Sequence, residues 1–195
     1  MARLAGWLRG REPSCGPVRV IGVDGHAGSG KSTLAGLLAD ALDGAPVLHL
    51  DDLASHDAPF GWTRRLTTDV LTPLSHGETA RFPGYDWERR AFHRPLEVPP
   101  APVLLVEGVG AGRRALRPAL SAVLWLDVPA AVAWPRGRRR DGPALAAFWD
   151  GWTVAESAHF ASDPTRPHAD ALVRPCENGF PGCVCYEVLE GPEGH

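Results

Sequence analysis

The most specific chemical pattern in the sequence is a glycine-rich segment that ends in a lysine and a serine. It reads G-x-x-x-x-G-K-S over Gly25-His26-Ala27-Gly28-Ser29-Gly30-Lys31-Ser32, with Thr33 directly after it. Its glycines allow the backbone to curl so that successive N–H groups point inward at a polyphosphate, as in a P-loop. Lys31 is expected to reach the β- and γ-phosphates, and the Ser32 hydroxyl to bind Mg²⁺. The whole segment, residues 25–33, therefore predicts a binding site for a nucleoside triphosphate.

Acidic residues follow several predicted strands at the point where each strand ends. Asp51 and Asp52 follow the apolar segment 45–50, and Glu107 ends an unbroken apolar run. In open α/β sheets, ligands bind at the carboxyl ends of the strands. We therefore expect Asp51 or Asp52 to accept a proton from an acceptor hydroxyl or to hold a Mg²⁺-bound water. Glu107 is expected to act as a Walker B acid, so the predicted metal ligands are Ser32, Asp51 and Glu107.

A dense group of arginines lies in the segment 134–141. Helical spacing would place Arg136 and Arg140 on one face, because they are four residues apart. Two guanidinium groups so arranged could bind the phosphoryl group while it is transferred, when a lid, about residues 134–145, closes over the site. Together with Asp51 and Lys31, these two arginines are the predicted catalytic residues.

The elements that must position these side chains alternate between apolar strands and helical patterns. Strands are predicted at 18–24, 45–50, 103–106, 122–126 and 171–173, and a helix is predicted at 33–42. Continuous apolar strands separated by helices are typical of a buried parallel sheet. The pattern therefore predicts an α/β protein with a three-layer P-loop NTPase fold, a parallel five-stranded sheet, helices on both faces and an inserted cap.

The cap is the long stretch between the second and third strands, about residues 53–100. It interleaves aromatic residues with arginines, and its segment 68–74 has a helical pattern. Connections of this length in a compact domain are usually functional. We expect the stretch, including Trp62, to bind the acceptor.

Composition indicates a single domain over residues 1–195 and limits the classes of partner. A formal net charge of −3 gives no basic field for a polynucleotide. No apolar run reaches the roughly 20 residues that a membrane helix needs, and no signal-peptide core is present, so a cytoplasmic protein without a membrane partner is expected.

The 4 cysteines lack the paired spacing of a zinc site and are expected to be free thiols. The sequence leaves open whether the chain forms a homo-oligomer.

Several collinear segments, spanning roughly residues 18–178, resemble the uridine kinase family of P-loop nucleoside kinases. Beside the P-loop, they are Leu50-Asp51-Asp52, Arg81-Phe82-Pro83-Gly84-Tyr85-Asp86-Trp87, Leu105-Val106-Glu107-Gly108, Leu126-Asp127-Val128 with the arginines that follow, and Thr165-Arg166-Pro167-His168-Ala169-Asp170. The resemblance implies that Asp51 is the base, that Asp69 contacts sugar hydroxyls and that Tyr85 stacks on the base or sugar. It also implies that Asp52 and Asp86 lie at the acceptor, and that Arg136, Arg140 and Arg166 contact phosphates.

The resemblance and the motifs together favour Mg²⁺-dependent transfer of the γ-phosphate of ATP or GTP to a hydroxyl of a nucleoside or a nucleoside-like molecule. Leu53-Ala54 stands where family members often carry an aromatic pair, so the acceptor need not be uridine. An antibiotic-modifying phosphotransferase is one alternative. A nucleotide hydrolase, switch or sensing regulator is another, although neither an N-K-x-D nor an L-S-G-G-Q-type segment is present.

Overall fold

The computed structural model of the chain describes residues 1–176 and 185–191, and a six-stranded sheet lies at its centre. The strands are β1 (Arg19–Asp24), β2 (Val47–His49), β5 (Val103–Glu107), β6 (Ala122–Leu126), β7 (Ala171–Pro175) and β8 (Tyr186–Glu190), in the spatial order β2-β5-β1-β6-β7-β8. The first five in that order are parallel, and β8 is antiparallel to β7. The predicted five-stranded parallel sheet is therefore confirmed, with one additional antiparallel strand at its edge.

Both faces of this sheet are covered, because alternate residues of its strands enter two separate hydrophobic clusters. On one face, Ile21 and Leu105 pack with the buried side of α2 (Lys31–Ala41) and with α1 (Ala2–Arg9). On the other face, Val20 and Leu104 pack against residues of the cap. This arrangement confirms the predicted three layers.

The cap consists of a helical segment and a hairpin. The helical segment runs through α3 (Thr63–Arg65), a π-helical part (Leu66–Leu71) and α4 (Thr72–Ser75), which confirms the predicted helix at 68–74. The hairpin pairs β3 (Ala80–Asp86) with β4 (Ala91–Val98) in a separate two-stranded sheet. Apolar residues of the helical segment, among them Leu66, Val70 and Leu74, are buried in the cluster on that side of the central sheet. The cap is thus fixed to the core through its helix.

Two long helices follow β6 and cover the P-loop. They are α5 (Ala130–Asp141), which contains most of the predicted lid, and α6 (Ala146–Ser162). They approach closely at Gly137, where an added Cβ would lie 2.2 Å from the ring of Trp149. The lid is therefore a packed helix of the domain.

Two predictions made from the sequence are wrong. Trp62 is 1 % exposed and lies in the core, with the guanidinium of Arg113 4.0 Å from its ring centroid, so its burial contradicts a substrate contact. Cys176 and Cys185 form a disulfide, because β7 and β8 pair as neighbours and bring them together. Cys15 is a buried free thiol, as predicted, whereas Cys183 lies outside the described residues.

A helix that crosses a membrane must be both long and apolar. Within residues 1–176 and 185–191, no helix meets both conditions.

Candidate active site

The P-loop connects β1 to α2 in a conformation that requires its glycines. Gly28 and Gly30 have φ values of +81° and +103°, which residues with a side chain rarely adopt. Because α2 begins at Lys31, the positive end of the helix and the loop N–H groups face the same space. Lys31 is only 7 % exposed, and its Nζ donates to the His26 carbonyl at 3.0 Å. The loop is thus a formed cradle for an anion.

A cavity of about 290 Å³ opens over this loop. Asp51, Glu107, Arg136 and Arg140 line it together with the P-loop residues Ala27, Gly28, Gly30, Lys31, Ser32 and Thr33. Helical spacing and strand ends thus bring all four predicted catalytic residues and all three predicted metal ligands to one cavity. We call it the phosphate cavity.

Glu107, at the end of β5, is the best-connected acid of the phosphate cavity. Its Oε1 accepts hydrogen bonds from Ser32 Oγ at 3.0 Å and from His49 Nδ1 at 2.5 Å. Burial alone would raise the pKa of Glu107, but the bonds from His49 and Ser32 and the charge of Lys31 outweigh it and lower that pKa. The same bond raises the pKa of His49. Glu107 is therefore held as a carboxylate beside the Ser32 hydroxyl.

Asp51 and Asp52, adjacent in the chain, have different surroundings. Asp52 forms an ion pair with Arg94 of the cap hairpin. Asp51 accepts no side-chain hydrogen bond from the part of the chain that the structure describes. Its carboxylate reaches solvent through the cleft, yet protein surrounds it, and this desolvation together with the charge of Glu107 raises its pKa. Of the two acids, Asp51 is the one with a free carboxylate.

A second cavity, of about 490 Å³, adjoins the first and shares Ala27, Asp51, Arg140 and Trp152 with it. Its other walls are mostly aromatic or apolar and come from the cap and from the segment around α6: His56, Trp87, Glu88, Asp141, Leu145, Phe148 and Trp149. We call it the acceptor cavity. Sequence analysis did not single out its aromatic walls on α6.

Tyr85 and Asp86, predicted at the acceptor, line a third cavity of about 440 Å³ together with Asp51 and Asp52. Tyr85 is only 4 % exposed, and its hydroxyl bonds to His56 Nδ1 at 2.9 Å. Asp86 accepts the backbone N–H groups of the turn that follows it, which lowers its pKa. Both residues therefore lie near Asp51, with Tyr85 behind His56 rather than in the acceptor cavity.

Two other predicted contacts lie apart from these cavities. Asp69 lines a shallow depression between the cap helix and β3, together with Arg81. Arg166 forms an ion pair with Asp127 at 2.9 Å, just beyond the end of β6, and lowers the pKa of that acid. The structure does not bring either residue to the cavities that Asp51 lines.

Two arginines of α5, Arg136 and Arg140, line the phosphate cavity. Arg140 is also paired with Asp141, and this hydrogen bond raises the pKa of the guanidinium. Arg138, on the other side of the helix, pairs with Asp150 of α6 at 2.8 Å. Arg136 and Arg140 therefore lie on the P-loop side of α5, with Arg140 paired to Asp141, while Arg138 joins the helix to α6.

Glu156 of α6 is a functional-site residue that sequence analysis missed. It is 0 % exposed and accepts hydrogen bonds from His26 Nδ1 at 2.7 Å, from Trp134 Nε1 at 2.9 Å and from Trp152 Nε1 at 2.8 Å. The Ala27 N–H lies 3.2 Å from its other oxygen. Burial would raise the pKa of Glu156, but these bonds outweigh it and lower that pKa. One carboxylate thus connects the P-loop, the lid helix and a wall of the acceptor cavity.

Asp24, the last residue of β1, fastens the other side of the loop. Its buried carboxylate accepts the N–H groups of Gly25, Gly110 and Gly112 and the hydroxyl of Thr165 at 2.6 to 3.0 Å. The residues that follow β1 and β5 are therefore held against each other below the phosphate cavity.

The donor set around Ser32 suits Mg²⁺. Mg²⁺ prefers oxygen ligands and is usually held by one or two carboxylates plus phosphates of the substrate. Ser32 and Glu107 are hydrogen-bonded to each other, and Asp51 lines the same cavity. Among the described residues, three His, Cys, Asp or Glu side chains do not cluster as a closed metal cage. The residues present thus fit an ion that is bound jointly with a nucleotide.

Comparison with known proteins agrees with this geometry. The chain is 24% identical over 178 residues to a uridine kinase of Macrococcus caseolyticus, covering 79% of this chain and 86% of that one. It is 28% identical over 177 residues to a uridine kinase of Alkaliphilus metalliredigens, covering 78% and 85%. The solved structure of a possible uridine kinase from Bacillus stearothermophilus has the same fold, with a TM-score of 0.63, 23% identity, and coverage of 87% of this chain and 95% of that one. No protein-family model matches the chain.

The fold and the phosphate cavity define the class of the chain, which is a small-molecule kinase of the P-loop type. Within that class it resembles the uridine kinases, as the sequence predicted.

Proposed function

We propose that the chain transfers the γ-phosphate of ATP or GTP, bound with Mg²⁺, to a hydroxyl of a nucleoside or nucleoside-like molecule. The observation that carries this proposal is the position of Asp51, which lies on the wall common to the phosphate cavity and the acceptor cavity. A base must reach both the acceptor hydroxyl and the phosphoryl group that this hydroxyl attacks. The relatives named uridine kinase support a nucleoside as the acceptor.

The proposed reaction assigns each step to a residue of the site. The acceptor oxygen attacks the γ-phosphorus in line, and the bond between that phosphorus and the bridging oxygen of the nucleoside diphosphate breaks. The proton of the acceptor hydroxyl passes to Asp51. A raised pKa suits this role, because a carboxylate with a higher pKa is a stronger base. Lys31 and the arginines of α5 stabilise the charge on the transferred group.

Mg²⁺ would neutralise charge on the β- and γ-phosphates when it is bound with the nucleotide. Ser32 and Glu107 are the residues that would hold it. The bond from His49 keeps Glu107 ionised for this purpose.

The proposal is tested by incubating the purified chain with Mg²⁺, ATP or GTP and a panel of nucleosides, and by measuring the acceptor's mass. We expect a gain of one phosphate. Asp51→Asn should lower kcat by about 10² to 10⁴, while the Kd of the nucleotide changes less than about threefold. Asp52→Asn is the matched control, because Asp52 is already paired with Arg94. Full turnover in Asp51→Asn, or hydrolysis that ignores every acceptor, would contradict the proposal.

A further inference from the structure

The acceptor cavity presents ring faces, because its indole N–H groups are already used inside the protein. An indole ring has one donor and no acceptor. The N–H of Trp87 donates to a backbone carbonyl at 3.2 Å, and those of Trp149 and Trp152 donate to carboxylates at 3.1 and 2.8 Å. All three tryptophans that line the cavity can therefore offer a ligand only the carbon surfaces of their rings.

A column of nearly parallel rings ends at this cavity. His159 stacks on Phe60 with centroids 4.8 Å apart, Phe60 stacks on Trp152 at 5.3 Å, and Trp152 stacks on Phe148 at 5.9 Å. Phe148 is the last ring of the column and is 38% exposed. Leu145 beside it is 44% exposed. Trp87, which also lines the cavity, contacts Phe148 with its ring nearly perpendicular and the centroids 6.3 Å apart. A flat apolar group that enters the cavity can therefore pack against the exposed parts of Phe148 and Leu145.

Three polar side chains of the cavity, His56, Asp141 and Arg140, already have hydrogen-bond partners within the protein. His56 bonds to the Tyr85 hydroxyl through Nδ1, and Asp141 accepts from Arg140. The amides of Asn and Gln, which pair with two atoms of a base edge at once, are almost missing from the chain. The sequence contains no Gln, and its single Asn, Asn178, lies outside the described residues. The lining side chains without such a partner in the described part of the chain, Glu88 and Asp51, are carboxylates that only accept when ionised. Among the described residues, the cavity therefore lacks an amide side chain that could donate to and accept from the edge of a base at once.

We propose that this enzyme selects its acceptor by the face of a large, flat ring system and not by the hydrogen-bonding edge of that ring. Its substrate class would be alcohols that carry an extended aromatic or apolar ring, including nucleosides with aromatic substituents, in preference to uridine itself. The inference rests on the proposed function, because it takes the acceptor cavity to hold the molecule that is phosphorylated.

The test compares acceptors that share a sugar and differ in the ring. In 3-methyluridine the N3 methyl group blocks the pairing edge of the base and keeps its face, whereas N6-benzyladenosine carries a phenyl ring in addition to the purine of adenosine. We expect kcat/KM for 3-methyluridine to stay within about threefold of uridine. We expect kcat/KM for N6-benzyladenosine to exceed that for adenosine about tenfold, mainly through KM. Loss of about 100-fold with 3-methyluridine, or no gain from the benzyl group, would overturn the inference.

Variants of α6 separate stacking from a general effect on the helix. Phe148→Ala should abolish the advantage of N6-benzyladenosine over adenosine, because the terminal ring of the column is lost. Val154→Ala is the matched control, since Val154 is 71% exposed on the same helix and does not line the cavity. An advantage that survives Phe148→Ala would contradict the assigned role of the ring.

Direct binding distinguishes failure of this inference from failure of the proposed function. If no compound gains phosphate, the proposed function fails, and the affinities of the same compounds are then measured by calorimetry. Tighter binding of N6-benzyladenosine than of adenosine, lost in Phe148→Ala, would still support the inference. Equal affinities would overturn it.

Discussion

Glu156→Gln is the substitution whose effect the structure predicts most fully. The carboxylate of Glu156 is completely buried, and its hydrogen-bond partners are three fixed N–H donors and the His26 ring. Oε1 accepts from His26 and Trp134, and Oε2 accepts from Trp152 and from the Ala27 N–H. Only a side chain with an acceptor at both ends satisfies this environment.

The magnitude follows from counting the donors that lose a partner. A glutamine keeps one acceptor oxygen and directs N–H groups at neighbours that also donate. With the amide nitrogen toward Trp152, that indole and the Ala27 N–H lose their acceptor. In the other orientation Trp134 loses its acceptor, while the His26 ring can accept from the amide as its other tautomer. One or two part-buried donors are therefore left unpaired, at roughly 1–3 kcal/mol each. Removing a buried charge recovers part of this cost. We therefore expect the free energy of unfolding to fall by about 2–4 kcal/mol, a large share of the usual 5–15 kcal/mol.

Chemical unfolding followed by far-UV circular dichroism measures this change. Glu78→Gln is the control, because Glu78 is exposed, and we expect it to alter stability by less than about 0.5 kcal/mol. We also expect the Kd for nucleotide to rise in Glu156→Gln, since His26 and Ala27 belong to the P-loop. A loss below about 0.5 kcal/mol in Glu156→Gln would refute the reasoning.

The pH dependence of stability in the wild type and in Glu156→Gln gives a second check. The pKa of Glu156 is lower in the folded chain than in the unfolded chain, so its charge stabilises the fold above the unfolded pKa. That contribution disappears as the pH falls through the lowered folded pKa. The difference in stability between wild type and Glu156→Gln should therefore shrink on acidification. A difference that grows as the pH falls would contradict the assigned hydrogen bonds.

Three further predictions concern the cavities. Because desolvation raises the pKa of Asp51, kcat/KM should begin to fall in acid at a pH above the ordinary pKa of Asp, and a fall that begins only below that value would refute this. For the same reason, Asp51→Asn should raise the Tm at pH 7 although it slows transfer. Gly28 has a φ of +81°, and Gly28→Ala would place a Cβ 2.2 Å from the Ala133 carbonyl oxygen, so we expect the Kd for nucleotide to rise at least tenfold. Gly36 lies in open space on α2, so Gly36→Ala should leave that Kd unchanged. Titration calorimetry measures both values. Arg136→Ala should lower kcat about 100-fold with little change in the Kd for nucleotide. If steady-state kinetics show a change in affinity alone, Arg136 does not stabilise the transition state.

The parts of the site that depend on local sequence were predictable. The P-loop needs only a strand, glycines and a helix that are contiguous in the chain. Asp51 and Glu107 could be placed because each ends an apolar strand, and parallel strands bring such ends to one edge. Arg136 and Arg140 could be placed by helical spacing alone. All of these residues line the phosphate cavity.

The parts that depend on distant contacts were not predictable in this way. In the sequence, Glu156 looks like an ordinary acid of a helix, and its role arises from contacts such as that with His26, 130 residues away in the chain. Trp62 and Trp87 both lie in the aromatic cap, but only the fold decides that Trp62 enters the core and Trp87 the acceptor cavity. The disulfide of Cys176 likewise depends on the pairing of β7 with β8.

The most direct test of the central claim is the fate of the γ-phosphate. The chain is incubated with Mg²⁺, each nucleoside of the panel in turn and ATP whose γ-phosphoryl oxygens carry ¹⁸O, and the product masses are measured by mass spectrometry. We predict a nucleoside monophosphate that carries the labelled phosphoryl group, in an amount equal to the ADP formed. Labelled inorganic phosphate with every nucleoside unchanged, at the same rate with and without nucleoside, would contradict this prediction.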